Sequence, residues 1–177
     1  MDSRQIYSIL ANDSHVIQTN FLGVFASNLI PLSSLKYPCS FIVNTKPITH
    51  TGEHWITIIK DENNKGYYFD SFGMSPANFP EASEVLEFCK LWEFNDVQLQ
   101  SLLTTVCGQY CTFFLLHIAR GFTPDQIITA INDSGDTAAN DAFVFNYVRD
   151  RYGSMNDIDE VKIVDYPFLK NQLASIP

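Results

Sequence analysis

The run from Cys107 to Ala119 constrains this chain more than any other stretch. It reads Cys-Gly-Gln-Tyr-Cys-Thr-Phe-Phe-Leu-Leu-His-Ile-Ala, and a helix this apolar on all sides must be covered on all sides. The run opens on a cysteine and a glycine. A helix N-terminus stabilises negative charge through its dipole and free N–H groups, which suits a reactive thiolate at Cys107. Gly108 leaves room for a substrate backbone beside the sulfur. A buried cysteine is more often an inert small hydrophobe, so the rest of the chain must decide.

A chain of 177 residues holds one domain with a sizeable core, and the expectation is a single domain over 1–177. Apolar residues make up 46% and aromatics 14%, a globular composition. The net charge is −9, with only 11 Lys and Arg and no run of them, which argues against general binding to nucleic acid or anionic membrane. Four cysteines are too few for a disulfide scaffold. Met1 to Gln5 lacks the apolar centre of a signal peptide, and no apolar segment approaches bilayer length. These features fit a reducing cell interior.

Asp2 or Ser3 can cap a short helix with Ile6, Ile9 and Leu10 at helical spacing. Phe21 to Pro31 reads as a mixed turn and short helix. Cys39 to Asn44 reads as a buried strand. His54 to Lys60 is a second strand, Asp61 to Gly66 a hairpin turn, and Tyr67 to Phe72 the returning strand. Pro80 to Trp92 carries Ala82, Val85, Leu86, Cys89 and Leu91 at helical intervals, and Asp96 to Gln100 alternates like a short strand. After the Cys107 helix, which stops near Gly121, helices are predicted over 125–131 and 141–152, separated by a polar loop. A strand-like run lies at Glu160 to Val164.

The hairpin places His54 near the start of one arm and Asp70 near the end of the other, where positions at the open end lie side by side. A thiol nucleophile needs an imidazole, a group to orient it, and donors for the oxyanion. Cys107, His54 and Asp70 can fill the first three roles. Gln100 can turn its amide toward an oxyanion beside the Cys107 N–H, and Gln98 is its rival, since alternation puts both on one side. A bland reading stands beside each: a strand-edge histidine, an aspartate bonding its own turn, a solvated glutamine. A zinc module is the reading from another class. His50 and His54 are four apart, as are Cys107 and Cys111, but the sequence around them reads as strand and helix core.

Gly52-Glu53-His54-Trp55, then Tyr68-Phe69-Asp70-Ser71-Phe72-Gly73, then Gln100 seven residues before Cys107-Gly108, resemble the adenovirus-type maturation proteases. These are adenain-like cysteine endopeptidases related to the ubiquitin-like-protein proteases. Phe21-Leu22-Gly23 and Ile42-Val43-Asn44-Thr45 extend the resemblance, which covers roughly residues 20 to 120. From about Thr123 onward there is none. The small, acidic chain is closest in character to members from virophages and virus-like DNA transposons.

The resemblance implies an α+β fold, a papain-like cysteine protease core in permuted order. Its mixed, largely antiparallel sheet packs on a central helix that starts at the nucleophile. It implies Cys107 as nucleophile, His54 as base, Asp70 where adenoviral enzymes carry glutamate, and Gln100 as oxyanion donor. Gly52, Glu53, Trp55 and Gly108 are expected at the substrate. No cofactor or metal is expected within the chain. Adenoviral members respond to DNA and to a short viral peptide that links through a disulfide. The −9 charge argues against DNA here. Cys89, 18 residues before Cys107, has the spacing of the linked cysteine, while its place in a predicted helix makes it a core residue. Cys111 reads as core.

The implied function is a monomeric viral endopeptidase that cuts capsid or core precursors during maturation, at glycine-containing sites. It would act within the virion or the infected cell. The alternatives are a ubiquitin- or SUMO-deconjugating protease and an inactive interaction protein.

Overall fold

The computed structural model describes residues 1–32 and 35–152. The predicted strand at 160–164 lies outside the described residues. The elements in order are α1 (Ser3–Asn12), β1 (Phe21–Ala26), β2 (Cys39–Asn44), β3 (Trp55–Lys60), β4 (Lys65–Phe69), α2 (Pro80–Glu87), β5 (Leu91–Phe94), α3 (Cys107–Ile118), α4 (Pro124–Ile131) and α5 (Thr137–Tyr152). The fold is α+β, with one five-stranded sheet in the order β1-β2-β3-β4-β5. β2, β3 and β4 are antiparallel neighbours, and β1 and β5 are added in parallel at the two edges. The sheet is therefore evenly mixed rather than largely antiparallel.

The sheet is covered on both faces, which explains why β2 reads as an unbroken apolar run. Ile42, Tyr67 and Phe69 face α3 and join its core, which also takes in α1, α4 and α5. Phe41, Val43, Ile56, Ile58 and Tyr68 face the other way onto Ala82, Val85 and Leu86 of α2. Eleven of the twelve residues of α3 are buried. Phe114 stacks on Phe69 with centroids 4.1 Å apart and planes at 10°, and each such ring contributes about 1.5–3 kcal/mol by burial. α1 starts on an Asp2–Gln5 capping box and α4 on a Thr123–Gln126 box, each satisfying N–H groups left free at a helix start.

Four sequence expectations are corrected. Phe21 to Ala26 is a strand, because Gly23 at φ 129° takes up a register shift against β2 that breaks its pattern. The predicted helix over Pro80 to Trp92 stops at Glu87, and Leu91 to Phe94 forms β5. Leu91 matched helical spacing by coincidence, since it lies on an edge strand with its side chain exposed. Asp96 to Gln100 is no strand. Its amides at Leu99 and Gln100 instead both donate to the Ser71 carbonyl, at 2.9 Å each. α5 also begins four residues before the predicted Asp141 start.

Candidate active site

β3 and β4 pair as far as Thr57 and Phe69, so the residues just beyond the ladder meet at its open end. His54 precedes β3, Asp70 follows β4, and His54 Nε2 donates to Asp70 Oδ1 at 3.0 Å. Asp70 is fully buried. The same Oδ1 accepts from the Phe72 N–H at 2.7 Å, and Oδ2 accepts from the Tyr68 hydroxyl at 3.2 Å. Asn95 meets the Asp70 backbone on both sides: its Oδ1 accepts the Asp70 N–H at 2.9 Å and its Nδ2 donates to the Asp70 carbonyl at 2.6 Å. The Phe72 ring lies on the imidazole with centroids 4.9 Å apart.

The second ring nitrogen, Nδ1, has no hydrogen-bond partner among the described residues, and the Cys107 thiol lies near enough for thiol and ring to shift each other's protonation. Burial works against charge on His54, but the hydrogen bond to Asp70 and the acidic Asp70 and Cys107 beside it outweigh that, and its pKa rises to about 9. Burial likewise pushes the Cys107 thiol up. The neighbouring His54 imidazole, with the Trp55 backbone, outweighs that too and holds it below its ordinary value. Cys107 starts α3, whose N-terminus has no side-chain cap, so first-turn N–H groups add to the stabilisation of the anion. Both shifts act in the direction that favours an imidazolium beside a thiolate. Alkylation of Cys107 by iodoacetamide is expected to stay fast as pH falls through about 8.5, the ordinary thiol range. A rate that instead tracks an ordinary thiol, followed by mass spectrometry of the Cys107 peptide, would contradict the pairing.

Cys111, one turn on, is fully buried, and burial drives its pKa well up. Cys39 and Cys89 pack on the α2 side of the sheet, away from α3, and burial raises both. Cys89 is half-buried in the turn after α2 rather than within a helix. His50, the proposed zinc neighbour of His54, is exposed. Among the described residues no three His, Cys, Asp or Glu side chains are grouped to hold a metal ion.

Gln100 and Gln98 do not share a side. Gln98 is exposed and its Nε2 donates to the Gln100 carbonyl at 2.9 Å. Gln100 is fully buried, with Oε1 accepting from the Ser71 hydroxyl at 2.7 Å. Its Nε2 donates to the Thr104 carbonyl at 2.9 Å and approaches the Thr104 hydroxyl at 3.3 Å. Asp141 of α5 braces the same loop, accepting from the Thr104 hydroxyl at 2.8 Å and the Ser101 N–H at 3.2 Å.

A cleft of about 600 Å3 opens beside Cys107, with Gly52, Glu53, Trp55 and Thr105 in its walls. A Cβ on Gly52 would stand 2.8 Å from the Asn44 amide, which itself accepts from the Lys46 and Glu53 N–H groups. Only glycine lets the 45–53 turn lie this close to β2. Gly108 does not line the cleft. Met1 Cβ, Ile6 Cδ1 and Trp55 Cδ1 would lie 3.0, 3.3 and 3.3 Å from its Cβ, so its missing side chain makes room for α1 and the indole. The Trp55 Nε1–H donates to the Met1 carbonyl at 3.1 Å.

Sequence reasoning missed Tyr68, Asn95 and Asp141. Strand alternation could have found Tyr68, which shares a face with Asp70 two residues on. Asn95 and Asp141 carry no comparable signal.

A thiol at a helix start, near an imidazole that a buried carboxylate orients, is an arrangement that suits nucleophilic thiol chemistry. The family described as adenovirus endoprotease matches residues 21–93, a span that holds His54 and Asp70 and ends before Gln100 and Cys107. Among solved structures, the crystal structure of a selenomethionine ASFV protease is similar at 24% identity and a TM-score of 0.36. The likeness covers 54% of this chain and 40% of that one. No curated protein sequence matches.

Proposed function

We propose that the chain is a viral cysteine endopeptidase that cleaves capsid or core precursor proteins during virion maturation. The observation that carries this reading is the buried His54 ring, bonded to Asp70 through one nitrogen and close to the Cys107 thiol, which itself lies at the wall of an open cleft. Cys107 attacks the scissile carbonyl as a thiolate. The oxyanion is held by the Cys107 N–H and by Gln100, whose longer contact to the Thr104 hydroxyl, 3.3 Å, is the one to exchange. Such catalytic bonds often tighten only with substrate bound. His54 then protonates the leaving amine, and water hydrolyses the thioester. Hydrolysis is expected to decline as pH rises through about 9, where His54 loses its proton.

Gly52 and Trp55 line the same cleft as Cys107, and the missing side chain of Gly52 leaves space there, which supports cleavage at glycine-containing sites. β5 supports an activating viral peptide. Among the described residues it is an edge strand paired with β4 alone, it exposes Leu91 and Trp92, and half-buried Cys89 stands just before it. A peptide adding as a further strand there could be linked through Cys89. The enzyme acts as a monomer of one domain, inside the virion or the infected cell. Among the described residues no helix is long and apolar enough to cross a membrane.

The test is a panel of quenched glycine-containing peptides from virion precursors, assayed beside ubiquitin-like fusions and repeated with cysteine-bearing viral peptides added. Cleavage of the precursor peptides is expected. Cleavage of the fusions alone would replace this reading with deconjugation.

A further inference from the structure

Asp70 lies past the end of both ladders that flank β4. Pairing with β3 ends at Phe69, and pairing with β5 ends where Tyr68 meets Phe94. Its backbone is nonetheless buried, so its N–H and carbonyl need partners. The Gly73 N–H donates to the carbonyl at 2.9 Å, and the residue after β5 meets both groups with its side chain. Asn95 accepts the Asp70 N–H at 2.9 Å and donates to the Asp70 carbonyl at 2.6 Å, as a further residue of a strand would do through its backbone. Only an amide offers an acceptor and a donor side by side in this way. Asn95 is itself 4% exposed. Its other contact, to the Val97 carbonyl, is longer at 3.3 Å.

We propose that Asn95 is a positioning residue for the reaction, extending the β4–β5 ladder by one step so that the Asp70 carboxylate is held against His54. This rests on the protease reading given above. Asn95 touches neither thiol nor imidazole and acts through Asp70 alone. The next step along is stitched as well, since the Ser71 carbonyl accepts the Leu99 and Gln100 N–H groups and the Ser71 hydroxyl donates to Gln100. The chain after β5 therefore sets the third member of the catalytic set before it reaches the oxyanion loop. When Asn95 is lost, the Gly73 N–H still reaches the Asp70 carbonyl at 2.9 Å, but the Asp70 N–H loses its partner and the backbone under the carboxylate is held from one side only. The His54 proton is then held less tightly, and the imidazolium–thiolate pair weakens.

The experiment compares wild type with Asn95→Ala and Asn95→Ser, the latter keeping one polar atom near the Asp70 backbone. Two readouts are taken on the full chain: steady-state hydrolysis of a quenched glycine-containing peptide, and the pH profile of Cys107 alkylation by iodoacetamide. Asn95→Ala is expected to lower kcat by about 10–100-fold, on the scale set by partial loss of a catalytic pair's geometry, with KM little changed. Its alkylation profile moves toward that of an ordinary thiol, and Asn95→Ser falls between. An unmoved alkylation profile in a folded Asn95→Ala or Asn95→Ser protein overturns the proposal. The alkylation arm needs no peptide substrate. If wild type cleaves nothing on the panel, it still decides the Asn95 question while the protease reading fails separately.

Discussion

Cys107→Ala is expected to remove peptide cleavage, lowering kcat by about 10^4–10^6-fold, the scale of losing a covalent nucleophile. The folded state should survive. Cys107 sits at the cleft wall at the start of α3, and the apolar residues that hold α3 lie deeper in the helix. Cys107→Ser should be nearly as inactive, because a hydroxyl does not pass its proton to His54 in the ground state as the thiol does. Cleavage of co-expressed virion precursors, read by gel, together with a thermal melt, checks both variants. Retained processing by a folded Cys107→Ala would move the nucleophile elsewhere, and the other thiols are poor substitutes. Cys111 is fully buried, and Cys39 and Cys89 lie on the α2 side of the sheet.

Asp70→Ala should cost both activity and stability. It leaves the His54 Nε2–H, the Tyr68 hydroxyl and the Phe72 N–H without their acceptor in a site closed to water. Breaking a buried pair from one side costs about 3–5 kcal/mol, and loss of the orienting carboxylate lowers kcat by about 10^3–10^4-fold. The pH dependence has a definite sign. The folded-state pKa of His54, about 9, lies above its unfolded value of 6.5. The stabilisation it carries is thus fully present below the unfolded value and is lost as pH rises through about 9. Urea titrations at acid-to-neutral pH and again above pH 9 should show the wild-type advantage over Asp70→Ala shrinking at the alkaline end. An advantage independent of pH would mean that His54 is not charged in the folded protein.

The parts legible in the sequence are those written in short range. The apolar run after Cys107 announces a buried helix, and the β3–β4 hairpin brings His54 to Asp70 because antiparallel arms joined by a short turn have little choice of register. The first helix starts on Asp2, one of the two caps its composition offered. The misreadings fall where local pattern and tertiary partner disagree. Leu91 kept helical spacing and became the edge of a sheet. Val97 and Leu99 alternated like a strand, but the Ser71 carbonyl took the amides that a strand would have used. Gly108 was read as space for substrate, and α1 and Trp55 occupy that space.

By itself the sequence determined which thiol, imidazole and carboxylate are available and that the hairpin brings two of them together, because residue type and turn length act locally. Only the tertiary structure decided what holds them. The Asn95 clamp on Asp70, the Ser71–Gln100 stitch and the Asp141 brace from α5 join residues 25, 29 and 37 positions apart. Buried polar atoms must find partners wherever the packed chain puts them, and no spacing rule links positions so far apart.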